Sequence, residues 1–551
     1  MKIRFVGPLG VVTGSCTWLE HAGVEFLIDC GLEQDGGTSR GWTRAPWPFD
    51  PAKLRFVVLT HAHADHCGLI PALYRRGFQG VVYCTHETAE IAKIMLRDAA
   101  ASDDSLSDAA DVERIVWQTP PGRVLGERFP VAHDLFLQYF RTGHAMGAVS
   151  VQVLWGDFKR GEQRSIMFSG DLGPDAEDGE ALPFMRHRMN PPKSDFAVIE
   201  STYGHRVRNP DAQDPAARRR RLGELMSRAV DSEGTLLIPA FAFGRVQDLL
   251  FDVHWLMAED PARYAGLQLR LESSLARRLA PVLVAGWDRT EVGGTSKVRP
   301  LWLGKQMFRW LGLDDTDPED GDRAVDICRI TLGLPAIHPQ SATRGNAIAR
   351  AWPVLLSEAP PEDRTPAGPR LVIAASGMGD HGGAARWLQC CLTDPATIVA
   401  FSGHCADGSV GGQLLRLAQV SLHERRRSRA RIEWCDGEAV AERDIRAGIT
   451  ALQGYSGHAD QAGLVAWAVS CFRGVHVPAG DTFFIQHGNE QARIALAEAI
   501  EQAGKVHGMT LHCVRPSVSD AIYCLDSLHD AGRARAGVPN PSERAELQCQ
   551  P

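Results

Sequence analysis

Short apolar runs, each cut off sharply by polar residues, fill the first two hundred positions; examples are Val24–Ile28, Arg55–Thr60, Ser165–Ser169 and Phe196–Ile199. Turns rich in Gly, Pro and Asp separate them. Runs this short and abrupt predict buried strands whose carboxyl ends deliver side chains to a site. Glu87–Ala99 carries Ala, Ile and Met on one face and predicts a helix. The pattern changes near His205. Arg218–Arg221 falls in a polar stretch read as helical, followed by a strand at Thr235–Pro239, a Gly-containing turn and a helix from Arg245. Strand-then-turn units recur at Leu371–Ser376 and Thr397–Ser402, which predicts a second α/β layer with its own parallel sheet. The stretch from about Gly286 to Pro369, rich in Asp, Pro and Gly, is expected to form loops and short helices. Arg425–Arg431 reads as an exposed basic loop or insertion, more readily solvated than engaged with a ligand. Phe483–Gln486 is one more strand, followed by a helix at Glu490–Gln502, and the tail after about Ser527 is expected to be partly disordered.

Composition narrows the class. A chain of 551 residues exceeds one ordinary core, and 44% hydrophobic with 23% charged residues is normal for a soluble globular protein. No apolar run is long enough to span a bilayer, and the opening MKIRFVGPLGVVTGS reads as a first strand, not a signal peptide. The 13 cysteines are scattered without a CxxC pair, which predicts reduced thiols in a cytoplasmic protein. A net charge of −8 speaks mildly against nucleic-acid binding, but it describes the whole surface, not one groove. Bound cations would reverse the sign of a carboxylate-rich site.

The densest chemistry is Thr60-His61-Ala62-His63-Ala64-Asp65-His66, directly after an apolar strand. Imidazoles and a carboxylate crowded this closely call for a neutralising divalent cation, and zinc accepts both donor types. Alternate residues of a loop point to different sides, so His61 and His63 could serve one ion while Asp65 and His66 serve another. Further candidates are His144 in Gly-His-Ala-Met-Gly, Asp171 in Ser-Gly-Asp-Leu-Gly and His487 in Gln-His-Gly. Each follows a strand-like run beside glycine, which permits close backbone approach. Singly, each reads equally well as a surface or turn residue.

Together these segments resemble a known family. Asp29 in Leu-Ile-Asp-Cys-Gly, the His61–His66 motif, His144 and Asp171 resemble the successive motifs of the metallo-β-lactamase superfamily. Glu200-Ser-Thr-Tyr-Gly, Gly454-Tyr-Ser-Gly-His458-Ala-Asp and Gln486-His487-Gly are similar to the three added motifs of its β-CASP branch. Ile238–Arg245 and Ala374–Gly379 also look like family segments, and the match runs in order from residue 1 to about 505. The resemblance implies an αββα sandwich with an inserted β-CASP α/β domain. It divides the chain into residues 1–204 and 447–526 of the sandwich, the insert 205–446, and a tail 527–551. It implies two Zn2+ ions, replaceable by Mn2+: His61, His63 and His144 on one, Asp65, His66 and His487 on the other, and Asp171 bridging. Asp29 would orient a ligand imidazole. Glu200 and His458, with Asp65, would form the catalytic set, His458 as general acid. Arg245, Ser376, Gly377 and Met378 are candidate substrate contacts, since Arg245 opens a helix whose N–H groups attract phosphate.

The implied activity is hydrolysis of RNA to 5′-phosphate and 3′-hydroxyl ends, chiefly endonucleolytic with some exonuclease action, in a cleavage-and-polyadenylation-factor-like enzyme that dimerises as relatives do. DNA-acting members usually lack the histidine found at His487. A non-catalytic RNA-processing subunit would have lost ligands that this chain keeps. A small-molecule metallo-hydrolase would need neither the insert nor the Glu200–His458 pair. Departures lie in the insert: Leu271–Ala276 has Glu and Ser where Asp-Ser-Pro is customary, Ser402–Gly408 carries His404 and Cys405, and the 286–369 stretch is long. They leave the chemistry intact and put substrate length and shape in doubt.

Overall fold

The computed structural model describes residues 1–33, 46–102, 108–120, 125–176, 179–209, 211, 214–288, 290–292, 298–353, 368–472, 481–517 and 521–528. The predicted tail lies almost wholly outside these residues. Two seven-stranded mixed sheets face each other. The first runs, in spatial order, Tyr523–Cys524, Lys2–Phe5, Thr17–His21, Val24–Ile28, Leu54–Val58, Val81–Tyr83 and Val116–Gln118. The second runs Leu511–Val514, Asp481–Gln486, Phe196–Glu200, Glu162–Phe168, Val149–Asp157, Leu135–Arg141 and Arg128–Ala132. Phe5, Phe26 and Phe56 from one sheet meet Val151, Ile166 and Phe484 from the other in a dry core. Burial of this apolar surface holds the two layers together. Helices cover the outer faces: His86–Ser102 lies over the first sheet, while Gln461–Phe472 and Glu490–Val506 set Trp467, Leu496 and Ile500 on the second. This is an αββα sandwich.

The third large sheet has five strands, all parallel, ordered Gln268–Glu272, Arg370–Ala374, Thr235–Pro239, Ile398–Phe401 and Gly448–Ala451. It is the predicted second α/β layer. Its three central strands are buried throughout and apolar beyond Arg370 and Thr235 at their starts, as strands covered on both faces must be. Because Gly448–Ala451 pairs with Ile398–Phe401, a domain boundary at 446 would separate this sheet from its last strand. A boundary after Ala451 keeps it whole.

Several sequence expectations change. The 286–369 stretch contains a hairpin, Thr290–Val292 with Val298–Pro300, and a helix of 14 residues, Pro318–Thr331. Its Asp and Pro start the helix: Asp317 accepts from Glu319 N, and Pro318 sits where no amide hydrogen is needed. Arg425–Arg427 end a short helix, Leu422–Arg427, because Ser421 and Glu424 form a capping box. Arg429, Ala430 and Arg431, which finish that run, are exposed, as expected. Among the described residues eleven cysteines are free thiols, but Cys524 is disulfide-bonded, so the fully reduced set expected from the sequence does not hold there. No helix among the described residues is long and apolar enough to cross a membrane.

A buried polar network ties the parallel sheet to the sandwich. Arg218 Nε donates to Asp252 Oδ2 at 2.7 Å, and Tyr455 Oη donates to the same oxygen at 2.7 Å. Asp248, one turn earlier on the helix Arg245–Glu259, is buried, and burial pushes its carboxyl up to about 7 despite Arg245 and Arg218 nearby. Between about pH 4 and pH 7 the folded chain therefore retains a proton that the unfolded chain releases, so this group makes stability fall as pH rises. Asp248→Asn should lose less melting temperature than the parent between pH 5 and pH 8. Identical slopes in a thermal-shift series would contradict this.

Candidate metal centre

Strand register gathers the candidates at one end of the sandwich. In the second sheet, Glu200 pairs with Gln486, which sets His487 beside Glu200 although 285 residues separate Thr202 from His487. Phe168 lies level with Val151 and Val198, so Asp171 emerges at the same edge. In the first sheet, Asp29 N donates to Val58 O at 2.8 Å, bringing Asp29 beside the His61–His66 segment. That segment is not an extended loop with alternating sides. Ala64–Cys67 forms one helical turn with His63 at its N-cap, and the turn separates Asp65 and His66 from His61 and His63. Two glycines allow the tight assembly. A Cβ on Gly31 would lie 1.6 Å from Asp65 O, and one on Gly173 would lie 1.9 Å from Gly143 O. Asp29 and His487 have φ of 59° and 53°, a left-handed conformation uncommon outside glycine and retained where surrounding contacts demand it.

Hydrogen bonds fix the imidazole tautomers. His144 Nδ1 lies 2.7 Å from Gly457 O and must donate there. His66 Nδ1 lies 2.8 Å from Asp29 Oδ2. Thr60 Oγ1 donates to Asp29 Oδ2 at 2.9 Å, leaving its lone pair for His61 Nδ1 at 3.1 Å. Thr202 Oγ1 stands 3.1 Å from His487 Nδ1. The Nδ1 atoms of these four rings thus face outward, and their Nε2 atoms turn inward.

The inward nitrogens crowd together. His63 Nδ1 is 3.0 Å from both His61 Nε2 and His144 Nε2. A single proton on His63 satisfies one of those contacts, whereas a cation satisfies all three. Asp171 Oδ2 lies 3.5 Å from His61 Nε2 and 3.6 Å from His144 Nε2. Its Oδ1 lies 3.3 Å from His66 Nε2, and neither of these buried atoms has a hydrogen-bond partner among the described residues. His487 Nε2 is 3.3 Å from Asp65 Oδ2. Hence His61, His63, His144 and Asp171 could hold one ion, and Asp65, His66 and His487 another, with one oxygen of Asp171 turned toward each set. The donor set, neutral nitrogens plus carboxylate, suits zinc.

Electrostatics agree. Burial pushes His61 and His144 well below the usual histidine range and His63 down to about 4, so this trio presents lone pairs. Burial opposes charge on His66 and His487 too, but Asp171, helped by Asp29 at His66 and by Asp65 at His487, outweighs it and holds both above the usual range. Burial likewise works against the charge on Asp65, yet His66 and His487 bring it down to about 2.

Next to the cluster stands a carboxylate–imidazole pair. His458 Nδ1 is 3.3 Å from each oxygen of buried Glu200 and 4.0 Å from Asp171 Oδ2. Leu172 N and Thr202 N donate to Glu200 at 2.6 and 3.3 Å. Arg208, which carried no signal in the sequence, donates to His458 O and to Ser456 Oγ, both at 2.8 Å. It also lies over the Tyr203 ring at 4.6 Å. Arg245 opens its helix as expected; its buried Nε and Nη1 have no hydrogen-bond partner among the described residues, and Nη2 lies 3.1 Å from where a Gly457 Cβ would be. Ser376, Gly377 and Met378 follow the strand Arg370–Ala374, and their contacts tie them to neighbouring loops: Gly377 to Phe241, Met378 O to Gly411 N at 2.8 Å.

Fold and site together define a metal-dependent hydrolase. Residues 9–222 match the metallo-beta-lactamase superfamily, and residues 442–511 match the Zn-dependent metallo-hydrolase RNA specificity domain. The chain is 29% identical over 507 residues to Ribonuclease TTHA0252 of Thermus thermophilus, covering 92% of this chain and 97% of that one. It is 23% identical to transcription termination factor FttA of Methanothermobacter thermautotrophicus, covering 92% and 70%. Cleavage and polyadenylation specificity factor subunit 3 of Dictyostelium discoideum is 29% identical over 279 residues, covering 46% and 32%. The chain belongs to the metallo-β-lactamase superfamily, in its β-CASP branch with the RNA-specificity segment.

If Asp29 sets the tautomer of His66, Asp29→Asn should keep the fold and lower metal affinity about 10- to 100-fold. Competition with a calibrated chelator measures this. Unchanged affinity would leave Asp29 as a turn residue only.

Proposed function

We propose that this chain is a two-zinc ribonuclease that hydrolyses RNA phosphodiester bonds, mainly within the strand, leaving 5′-phosphate and 3′-hydroxyl ends. One observation carries the reading: Asp171, which lies with His61, His63 and His144, turns its other oxygen to within 3.3 Å of His66 in the second set, and the Glu200–His458 pair stands within 4.0 Å of that carboxylate. The near full-length similarity to a ribonuclease and the RNA-specificity segment support RNA as the substrate.

Divalent ions held by His61, His63, His144, Asp65, His66, His487 and Asp171 would supply positive charge for the phosphate oxygens and acidify an attacking water. The protein's own groups do the rest. Glu200, 3.3 Å from His458 Nδ1, orients that ring as the proton donor for the departing 3′ oxygen. Backbone amides of Leu172 and Thr202 hold Glu200, and Arg208 fixes the segment bearing His458. Arg245, with unpaired N–H groups beside Gly457, is placed to receive a phosphate oxygen. In this reading the sandwich comprises residues 1–204 and the chain after Ala451. The segment between them, built on the parallel sheet, roofs the site.

Incubation with zinc, 5′-labelled linear RNA and circular RNA is the test. Cleavage of both, with 5′-phosphate products, is expected; activity on linear 5′-phosphate RNA alone would restrict the enzyme to exonucleolysis, and no cleavage would refute the reading. His487→Ala should lose one ion and nearly all activity while remaining folded, as metal analysis of the purified variant would record. His458→Ala should keep both ions and cut about 10²- to 10⁴-fold more slowly. An unchanged rate at neutral pH would remove His458 as the acid.

A further inference from the structure

Among the described residues, Phe241 is the one aromatic side chain left exposed, at 39%. Elsewhere the rings are buried or half-buried, so this exposure costs apolar burial that the fold otherwise secures. The ring is not loose. It lies against two glycines: a Cβ would sit 2.8 Å from it at Gly377 and 3.5 Å at Gly403. These glycines belong to the segments after Arg370–Ala374 and Ile398–Phe401, the strands on either side of the one that ends at Pro239, just before Phe241. The ring therefore stands at the carboxyl ends of three adjacent parallel strands, the edge where such sheets receive ligands.

Its neighbours lead directly to the metal cluster. Phe243, two residues on, sits 5.1 Å from the His63 ring. His404, next to Gly403, faces Tyr203 edge-on at 6.4 Å, and Tyr203 lies 6.1 Å from His458. Arg245, with its unpaired N–H groups, begins the helix one turn beyond Phe241, and Val246 N donates to Phe241 O at 3.2 Å. One turn of chain thus presents a flat apolar face followed by a cation. That order suits a nucleotide, whose base has a π-face and whose phosphate is anionic.

We propose that Phe241 is a stacking platform for one unpaired nucleobase flanking the scissile phosphate, a contact that tolerates any base and sets how single-stranded RNA is positioned. The inference rests on the ribonuclease reading above. It makes Phe241 a substrate-binding residue, with its effect mainly in KM.

The test uses the full-length, zinc-loaded protein and single-stranded RNA oligonucleotides in which one abasic ribonucleotide is moved along the strand. In the parent, removing the base at one position should raise KM about tenfold or more, with a smaller change in kcat. Phe241→Leu, which keeps an apolar side chain against Gly377 and Gly403, should show that raised KM on intact RNA and no further loss with the abasic strand. Phe241→Trp should restore both KM and abasic sensitivity. If Phe241→Leu has the parent's KM, or remains as sensitive to the abasic position as the parent, the platform is wrong while the ribonuclease reading stands. A parent protein that cuts no RNA would overturn both.

Discussion

Nitrogens of three buried imidazoles meet in the interior of this protein, His63 Nδ1 lying 3.0 Å from both His61 Nε2 and His144 Nε2, and the molecule is organised around that contact. Lone pairs brought so close, out of water, repel. No rearrangement of single protons relieves all of them, because the opposite nitrogens of His61, His66, His144 and His487 already face Thr60, Asp29, Gly457 O and Thr202. Positive charge at its middle would relieve that repulsion, which makes the cluster a candidate receptor for cations.

That requirement explains the architecture. The candidate ligands come from the first sheet and from the second, including a strand that enters late in the chain, so the cluster forms only when the sandwich closes. Parallel pairing of Phe196–Glu200 with Asp481–Gln486 brings the Glu200 carboxylate and the candidate ligand His487 together. The segment after the parallel sheet adds Gly457 O as an anchor for His144, together with His458 itself. Assembly of the centre and docking of the second layer are therefore coupled. The buried Arg218–Asp252–Tyr455 network lies where that coupling must be transmitted, and removing one partner there would leave a buried charge uncompensated.

Much of this was legible in the sequence because each ligand follows a β-rich run and sits beside a small residue. The strand at Val24–Ile28 and the one at Thr235–Pro239 have the bounds their apolar runs predicted. Register was not legible. Nothing local to Glu200 or Gln486 states that they are partners, since pairing across so long a loop is decided by the whole core. Arg208 was missed for a related reason: it lies in an irregular stretch, and its role depends on two partners some 250 residues away. The Arg425–Arg427 helix was missed differently, since the Ser421–Glu424 capping pair was present in the sequence but outweighed by the charge of the run it introduces. Phe241 stood inside a quoted family segment, yet exposure of a ring is a property of three loops together.

X-ray diffraction from crystals grown with zinc, measured above and below the zinc absorption edge, tests the central claim most directly. Two anomalous peaks are expected. One should lie among His61 Nε2, His63 Nδ1 and His144 Nε2, the other among Asp65, His66 and His487, with Asp171 between them. A map without anomalous density at these side chains, or with zinc bound only elsewhere, would contradict the account.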